Sequence, residues 1–383
     1  MENLFNFNEK LQITLTTATG VEGVLKKELL RLGIKDAPAI NGSITIEGTA
    51  ETVAKCNVNL RTADRVYVKI TEFPCLTFDD LFDGVFSVNW EDVFPKNAKI
   101  LVNGKCVKSN IFATVDSQRI VKKAIAKRLC EKHGLTRLEE TGEEYQIEFR
   151  LFKNVVSILL NTSGVGLHKR GYRDLVGIAP IKETLASALV LCSDYYYKNP
   201  FCDPFCGSGT IAIETAMIAL NVAPGKNRKF AFNSWRNFPK SAYKLALEEA
   251  IDNEKLSCKP IIFASDIDPK AIKLAKRHAE TAGVLNVIDF SCKDAKNFTT
   301  DMAFGTIVTN PPYGERVYDK DEAEYCYKGL RKAYDKLDRW SLYLITSAKN
   351  FPAVFGKKQD KERKLFNSNK ECKLYCYYSK KER

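Results

Sequence analysis

Apolar residues recur at helical spacing over residues 21–32. Val21, Val24, Leu25, Leu29 and Leu32 share one face, Lys26, Lys27 and Arg31 lie off it, and Gly33 offers a stop. Strand-like runs at 11–16 and 43–47 flank that helix, so the first piece reads as a small α+β unit. Short apolar runs follow at 99–102 and 111–115, then a helix over 117–131 with Ile120, Val121, Ala124, Ile125 and Leu129 on its buried stripe. Residues 146–160 alternate, with Ile147, Phe149 and Leu151 on one arm and Val156, Ile158 and Leu160 on the other. That pattern predicts a hairpin turning at Lys153-Asn154.

The run SGVGLHKRGYR, residues 163–173, alternates glycine with basic residues and reads as a polar connector between domains. A helix is expected after the Ala179-Pro180 turn, from Ile181 through Leu185, Leu189 and Val190 toward Tyr197. Strand, turn and helix then alternate, which predicts a parallel sheet with crossovers. The strands are expected at 199–203, 260–265, 287–290 and 304–309, with helices running to Ala219 and over 270–281. An insertion at 221–259 interrupts the alternation, and its Trp235 and Arg236 are expected near a substrate.

The candidate chemistry sits at the carboxyl ends of these strands, where open α/β sheets bind ligands. After the first, Asp203-Pro204-Phe205-Cys206-Gly207-Ser208-Gly209-Thr210 turns into a helix. Gly207 and Gly209 let the backbone approach a ligand, and the helix N-terminus offers free N–H groups. Thr210 stands where a phosphate-binding loop needs Lys, and the third glycine of a dinucleotide fingerprint is missing, so ATP and NAD are disfavoured. The second strand delivers Asp266, suited to ribose hydroxyls, with Asp268 better placed to cap the next helix. The third leads to Asp294, and the fourth presents Asn310 ahead of Pro311, Pro312 and Tyr313, where two prolines end the strand.

Composition narrows the class. The chain has 383 residues, 45% of them hydrophobic, enough for two or three domains with real cores. It has no run of about 18 apolar residues and no basic-then-apolar leader, so the expectation is a cytosolic protein without a membrane span. The twelve cysteines are scattered without a Cys-x-x-Cys, and only three histidines accompany them. Reduced thiols and no structural metal are expected. The net charge of +12 points to a polyanion. Residues 96–128 hold nine basic residues and one acidic, Asp116, whereas 131–148 hold six acidic residues. Lys122, Lys123 and Lys127 on the outer face of the 117–131 helix are candidate phosphate contacts; a solvated helix face is the other reading.

DPFCGSGT, SDID, the Asp294 strand end and NPPYGER together resemble class I S-adenosylmethionine-dependent methyltransferases acting on exocyclic amines. SQRIVKKAI and LLNTSGVGLHKRGYR resemble a THUMP RNA-binding domain behind a ferredoxin-like unit. Over nearly its whole length the chain is similar to ribosomal RNA guanine-N2-methyltransferases of the RlmL type. Asn161 departs from the family's domain-ending motif, where Asp is expected, and Asn367-Ser368-Asn369 replaces an Asn-Gly turn.

The resemblance implies a ferredoxin-like unit at 1–44, a THUMP domain at 45–162, a linker at 163–180 and a Rossmann-like methyltransferase domain at 181–383. The last has a mostly parallel sheet and an antiparallel final strand. The resemblance further implies S-adenosylmethionine as cofactor, held by Asp203, Phe205, Gly207, Gly209, Thr210, Asp266, Asp294 and Thr184. Asn310, Pro311, Pro312 and Tyr313 would form the catalytic turn, with Tyr313 stacking on the base. Lys169, Arg170, Arg173 and the basic 349–383 segment would line the RNA path. The implied substrate is the N2 amine of a guanine in large-subunit rRNA. Alternatives are a tRNA guanine, a DNA adenine, or a non-catalytic RNA-binding ribosome-assembly role.

Overall fold

The structure is a computed structural model that describes residues 7, 9–35, 38–40, 42–173, 181–314, 319–367 and 370–379. The expected Ala179-Pro180 turn, the Glu315-Arg316 end of the catalytic motif, Ser368-Asn369 and residues 380–383 of the basic segment lie outside them. Among the described residues no helix is long and apolar enough to cross a membrane.

The first sheet contains β1 (Leu11–Thr16), β2 (Ala39–Ile40), β3 (Ser43–Gly48), β4 (Arg65–Pro74), β5 (Lys99–Val107), β6 (Glu144–Phe152) and β7 (Val155–Asn161). Its order is β2-β3-β1-β4-β7-β6-β5. The long strand β4 pairs with β1 on one edge and β7 on the other, so one sheet runs through both of the units expected before residue 162. The boundary expected after residue 44 falls inside β3. β6 and β7 form the expected hairpin, and Lys153 and Asn154 both take left-handed backbone (φ 50° and 62°), the geometry of a tight two-residue turn.

Helices α1 (Glu22–Arg31), α2 (Ala50–Asn59), α3 (Phe78–Phe86), α4 (Trp90–Val93) and α5 (Thr114–His133) accompany this sheet. α5 starts earlier than its apolar stripe suggested and takes in the end of the 111–115 run. It stops at Gly134, whose left-handed backbone caps it.

The second sheet contains β8 (Phe201–Asp203), β9 (Ile262–Asp266), β10 (Ile288–Cys292), β11 (Thr306–Thr309), β12 (Ser341–Thr346), β13 (Lys361–Asn367) and β14 (Lys370–Tyr377). Its order is β10-β9-β8-β11-β12-β14-β13. β8 to β12 are parallel, and β14 runs antiparallel to both β12 and β13. The fold is therefore Rossmann-like, with the expected antiparallel ending. Helices α6 (Glu183–Cys192), α7 (Thr210–Ala219), α8 (Lys240–Asp252), α9 (Pro269–Thr281), α10 (Asp319–Tyr334) and α11 (Phe351–Phe355) belong to this half of the chain.

The aromatic residues of the 221–259 insertion pack into the first module. Phe230, Phe232, Trp235, Phe238, Ala242, Ala246 and Ala250 join the core of the first sheet. Trp235 is fully buried, stacks on Tyr145 at 5.1 Å and donates its indole N–H to the Glu144 carbonyl. The expectation that Trp235 meets substrate is thus corrected: a large apolar ring found its burial in the neighbouring module. Arg236 pairs with Glu143 at 3.0 Å on the outside. Gly225 permits the crossing, because a Cβ there would lie 2.7 Å from Val58 Cα.

Buried charge reinforces the junction. Arg170 reaches Glu214 at 3.3 Å and donates to the Arg61 carbonyl, and Tyr172 and Ser187 also donate to Glu214. Arg61 in turn donates to the Val222 carbonyl, and the Glu28 carboxylate accepts from the Arg61 and Thr62 N–H groups. These bonds satisfy groups that would otherwise be costly to remove from water.

Candidate active site

β8 and β11 are neighbours at the centre of the second sheet, where strand order reverses direction, so their tips open a crevice between them. Asp203 ends β8 and Thr309 ends β11, and the Thr309 hydroxyl donates to Asp203 Oδ1 at 2.7 Å. The Phe205 N–H points at the same oxygen from 3.3 Å. Asp203 Oδ2 is buried and has no hydrogen-bond partner among the described residues. Burial pushes the carboxyl up to about 7, with the nearby Asp266 adding to the effect and the Thr309 and Phe205 bonds opposing it.

The glycine turn follows. Gly207 and Gly209 have φ of 52° and 83°, a conformation that L side chains avoid. A Cβ on Gly207 would enter open space, whereas one on Gly209 would sit 3.0 Å from Ala275 Cβ. Gly207 therefore keeps a cradle open, and Gly209 lets α9 pack close behind it. His278, buried on α9, donates from Nδ1 to the Ser208 carbonyl at 3.1 Å and braces the turn from behind. Thr210 is buried at the start of α7.

Asp266 holds the turn from the side: Oδ2 accepts the Gly207 N–H at 2.9 Å and Oδ1 the Asp268 N–H at 3.0 Å. Asp268 caps α9 by accepting the Lys270 N–H, the role expected of it. Ile267, between them, is 69% exposed and offers an apolar surface beside the acidic tip. Asp294 accepts from the Lys296 N–H at 3.0 Å and the Tyr325 hydroxyl at 3.1 Å, and the Lys296 ammonium stands 3.2 Å away. Burial raises the Asp294 carboxyl, but these partners outweigh it and hold it below its ordinary value. Thr184 faces the first module instead, donating to Asp64 at 2.9 Å.

The turn after β11 is internally tied. The Tyr313 hydroxyl donates to Asn310 Oδ1 at 2.6 Å, and the buried Tyr327 donates to the Pro312 carbonyl at 2.8 Å. Pro311 is buried and Pro312 exposed. Among the described residues the Pro311 carbonyl accepts no hydrogen bond. Burial pushes the Tyr313 hydroxyl well up, so it stays a donor. Beside this turn opens a cavity of about 730 Å³ bordered by Tyr313, Tyr327, Asn350, Lys320, Lys349 and Lys370. Sequence reasoning singled out neither Tyr327 nor Ile267, nor His278 as a brace. An aromatic or apolar residue in a helical or loop pattern carries no signal of its own.

The residues expected to meet RNA are differently disposed. Arg170 is 5% exposed and locked to Glu214, so a phosphate contact there is corrected. Arg173 pairs with Glu183 at 2.6 Å with its side chain mostly buried. Lys122 pairs with Glu140 at 2.8 Å, and Lys127 stands 3.7 Å from Glu131 and over the Phe82 and Phe86 rings. Lys123 and Lys169 are exposed.

An unpartnered buried carboxylate oxygen suits a cationic group, and an open glycine cradle suits a ligand's main body. S-adenosylmethionine, with an ammonium and a sulfonium, fits this donor set: Asp203, Gly207 and Gly209 would take its methionine part and Asp266 its ribose.

Comparison with known proteins agrees with that chemistry. Residues 12–67 match the RlmL ferredoxin-like domain and 75–161 the THUMP domain. The chain is 44% identical over 374 residues to YpsC of Bacillus subtilis (strain 168), named as a candidate RNA methyltransferase, covering 97% of each chain. It is 36% identical over 367 residues to the ribosomal RNA large subunit methyltransferase K/L of Buchnera aphidicola, covering 92% of this chain and 52% of that one. The chain thus spans about half the length of the K/L relatives it matches. The structure of SMU.472, named as a methyltransferase and complexed with SAH, superimposes with a TM-score of 0.92 at 36% identity, covering 98% of this chain and 100% of that one. With residues 170–375 matching the family model for the RMKL-like methyltransferase domain, more than half of its length, the chain belongs to the RMKL-like methyltransferases.

Proposed function

We propose that this protein transfers a methyl group from S-adenosylmethionine to the exocyclic N2 of a guanine in large-subunit ribosomal RNA. The observation that carries the reading is the pairing, at the switch point of the sheet, of a buried acid with a rigid Asn-Pro-Pro-Tyr turn one strand away. The names of the K/L relatives and the THUMP match support an RNA substrate, and the large-subunit assignment rests on those names.

When bound, S-adenosylmethionine supplies a methyl group already activated by a sulfonium. The chain's part is orientation. Asn310 Oδ1 has a second lone pair beyond the one that Tyr313 uses, and the Pro311 carbonyl is available; together they accept the two hydrogens of an aromatic amine. Two fixed dipoles aimed at that nitrogen also favour positive charge as it develops there. The first sheet acts as one docking body, residues 163–180 as a connector, and 181–383 as the catalytic domain with its insertion returned to the docking body. Lys320, Lys349 and Lys370 around the cavity suit the phosphates that flank an extruded base.

Mass spectrometry of modified nucleosides from cells with and without the protein tests the reading. Loss of one N2-methylguanosine from large-subunit rRNA is expected. Loss from tRNA, or of N6-methyladenine from DNA, would replace it with the corresponding alternative. No change in any nucleoside, together with no binding of S-adenosylmethionine, would favour a non-catalytic assembly role.

A further inference from the structure

At one end of the first sheet, Val155 stands opposite Phe152 and Phe152 opposite Val107, an apolar row across β7, β6 and β5. These side chains are 40%, 45% and 40% exposed, at the end of strands whose alternate residues, Leu151 and Val156, are buried. The loop after β5 adds Phe112, which is 84% exposed. That loop is braced against the hairpin turn: the Asn110 N–H donates to Asn154 Oδ1 at 2.8 Å and the Asn154 N–H to Ser109 Oγ at 3.1 Å. The aromatic rings are therefore held on ordered backbone.

The surroundings are positive. Lys105 lies two residues before Val107 on the same side of β5, Lys108 follows it, and the Lys153 ammonium stands 5.5 Å from the Phe152 ring centre. All three lysines are exposed, and none makes an ion pair among the described residues. Carboxylates on the adjoining elements are engaged: Asp116 with Arg119 at 3.3 Å, Glu72 with Ser157 at 2.6 Å and Lys69 at 3.5 Å, and Asp80 with the Leu76 and Thr77 N–H groups, each at 2.9 Å. On the β4 side of the row, where Pro74 pairs with Val155, the exposed Leu76 and Phe78 adjoin Asp79 and Asp80, and that acidic turn bounds the positive zone.

We propose that Val107, Phe112 and Phe152, with Lys105, Lys108 and Lys153, form a stacking platform for an unpaired RNA strand. The inference rests on the RNA reading above and places its docking contact at the end of the sheet, away from the α5 lysines that Glu140 and Glu131 engage. A duplex keeps its bases stacked on one another and has no use for exposed rings. Unpaired bases stack on such rings while ammonium groups meet the phosphates. The charge around the rings is what argues for a nucleic acid here, since an apolar patch for a protein partner does not call for three unpaired lysines.

The test uses the full chain and a labelled, unstructured oligoribonucleotide, alone and annealed to its complement, read by fluorescence anisotropy. The double variant Phe112→Ala/Phe152→Ala should bind the single strand about tenfold or more weakly while leaving duplex binding unchanged. Phe112→Trp should keep the affinity and Phe112→Leu should lose it, which separates stacking from mere apolar area. The triple variant K105A/K108A/K153A should weaken both ligands and flatten the salt dependence. Unchanged melting temperature and S-adenosylmethionine affinity would show each variant to be folded.

Wild-type affinity for the single strand in the double variant overturns the proposal. If that variant loses self-association in sedimentation instead, with RNA binding intact, the patch is a protein contact and the proposal likewise falls. A wild-type protein that binds neither RNA form overturns the RNA reading itself, together with this inference.

Discussion

Asn310 gives one lone pair of its carboxamide oxygen to a tyrosine of its own turn, and that bond fixes which end of the amide faces the crevice. Without it the amide can flip and present N–H groups to an amine that needs acceptors. Tyr313→Phe, which keeps the ring, should lower the single-turnover rate about fivefold to tenfold with little change in RNA affinity. Asn310→Ala should lower it about a hundredfold with S-adenosylmethionine binding intact. An unchanged rate in Asn310→Ala would remove that residue from the mechanism.

Asp203 makes a second prediction at this scale. Its carboxyl, pushed up to about 7, holds a proton more tightly in the folded protein than in the unfolded chain. The stability tied to that proton is complete below the ordinary carboxylate value of about 4 and is lost as pH rises through about 7. The ligand-free melting temperature should therefore fall from about pH 5 to about pH 7 more steeply in wild type than in Asp203→Asn, and level off above that. A cation needs the ionised form, so S-adenosylmethionine affinity should climb by up to about tenfold per pH unit until about 7. Calorimetry that finds a flat affinity over this range would exclude the Asp203 carboxylate as the cation's partner.

At the scale of elements, alternation and turn residues were readable because local rules decide them. The β6–β7 hairpin turns at Lys153-Asn154, and its six alternating apolar residues are all buried, as the sequence predicts. The tips Asp203, Asp266 and Asn310 likewise fall at or just beyond strand ends. β4 was not readable: its sequence RVYVKITEFP mixes charged and apolar residues, and its extended form is imposed by β1 and β7 on either side. The partner of the insertion was not readable either, since a run of aromatic residues specifies burial but not against what. Trp235→Ala should cost about 3–5 kcal/mol in urea denaturation while leaving the S-adenosylmethionine affinity of the folded protein unchanged. Raised RNA KM at unchanged stability would restore the substrate role expected from the sequence.

For the whole molecule, the buried Arg170–Glu214 pair and the insertion make the docking body and the catalytic domain a single mechanical unit. Two basic residues that read as RNA contacts in the sequence, Arg170 and Arg173, turn out to be internal struts, because charge alone does not reveal which carboxylate will be buried against it. Arg170→Ala leaves Glu214 buried and uncompensated and should destabilise the protein by about 3–5 kcal/mol. Its RNA affinity, measured against salt concentration, should keep the wild-type slope. A flatter slope would return Arg170 to the RNA path.

The returned insertion also bears on synthesis. The first sheet is fully translated at Asn161, yet the side chains that cover Tyr145 and α2 extend to Ala250. At about 5–20 residues per second, a nascent chain waits roughly 4 to 18 seconds between the two. For that interval the apolar face that Trp235 and its neighbours later close is left without its cover.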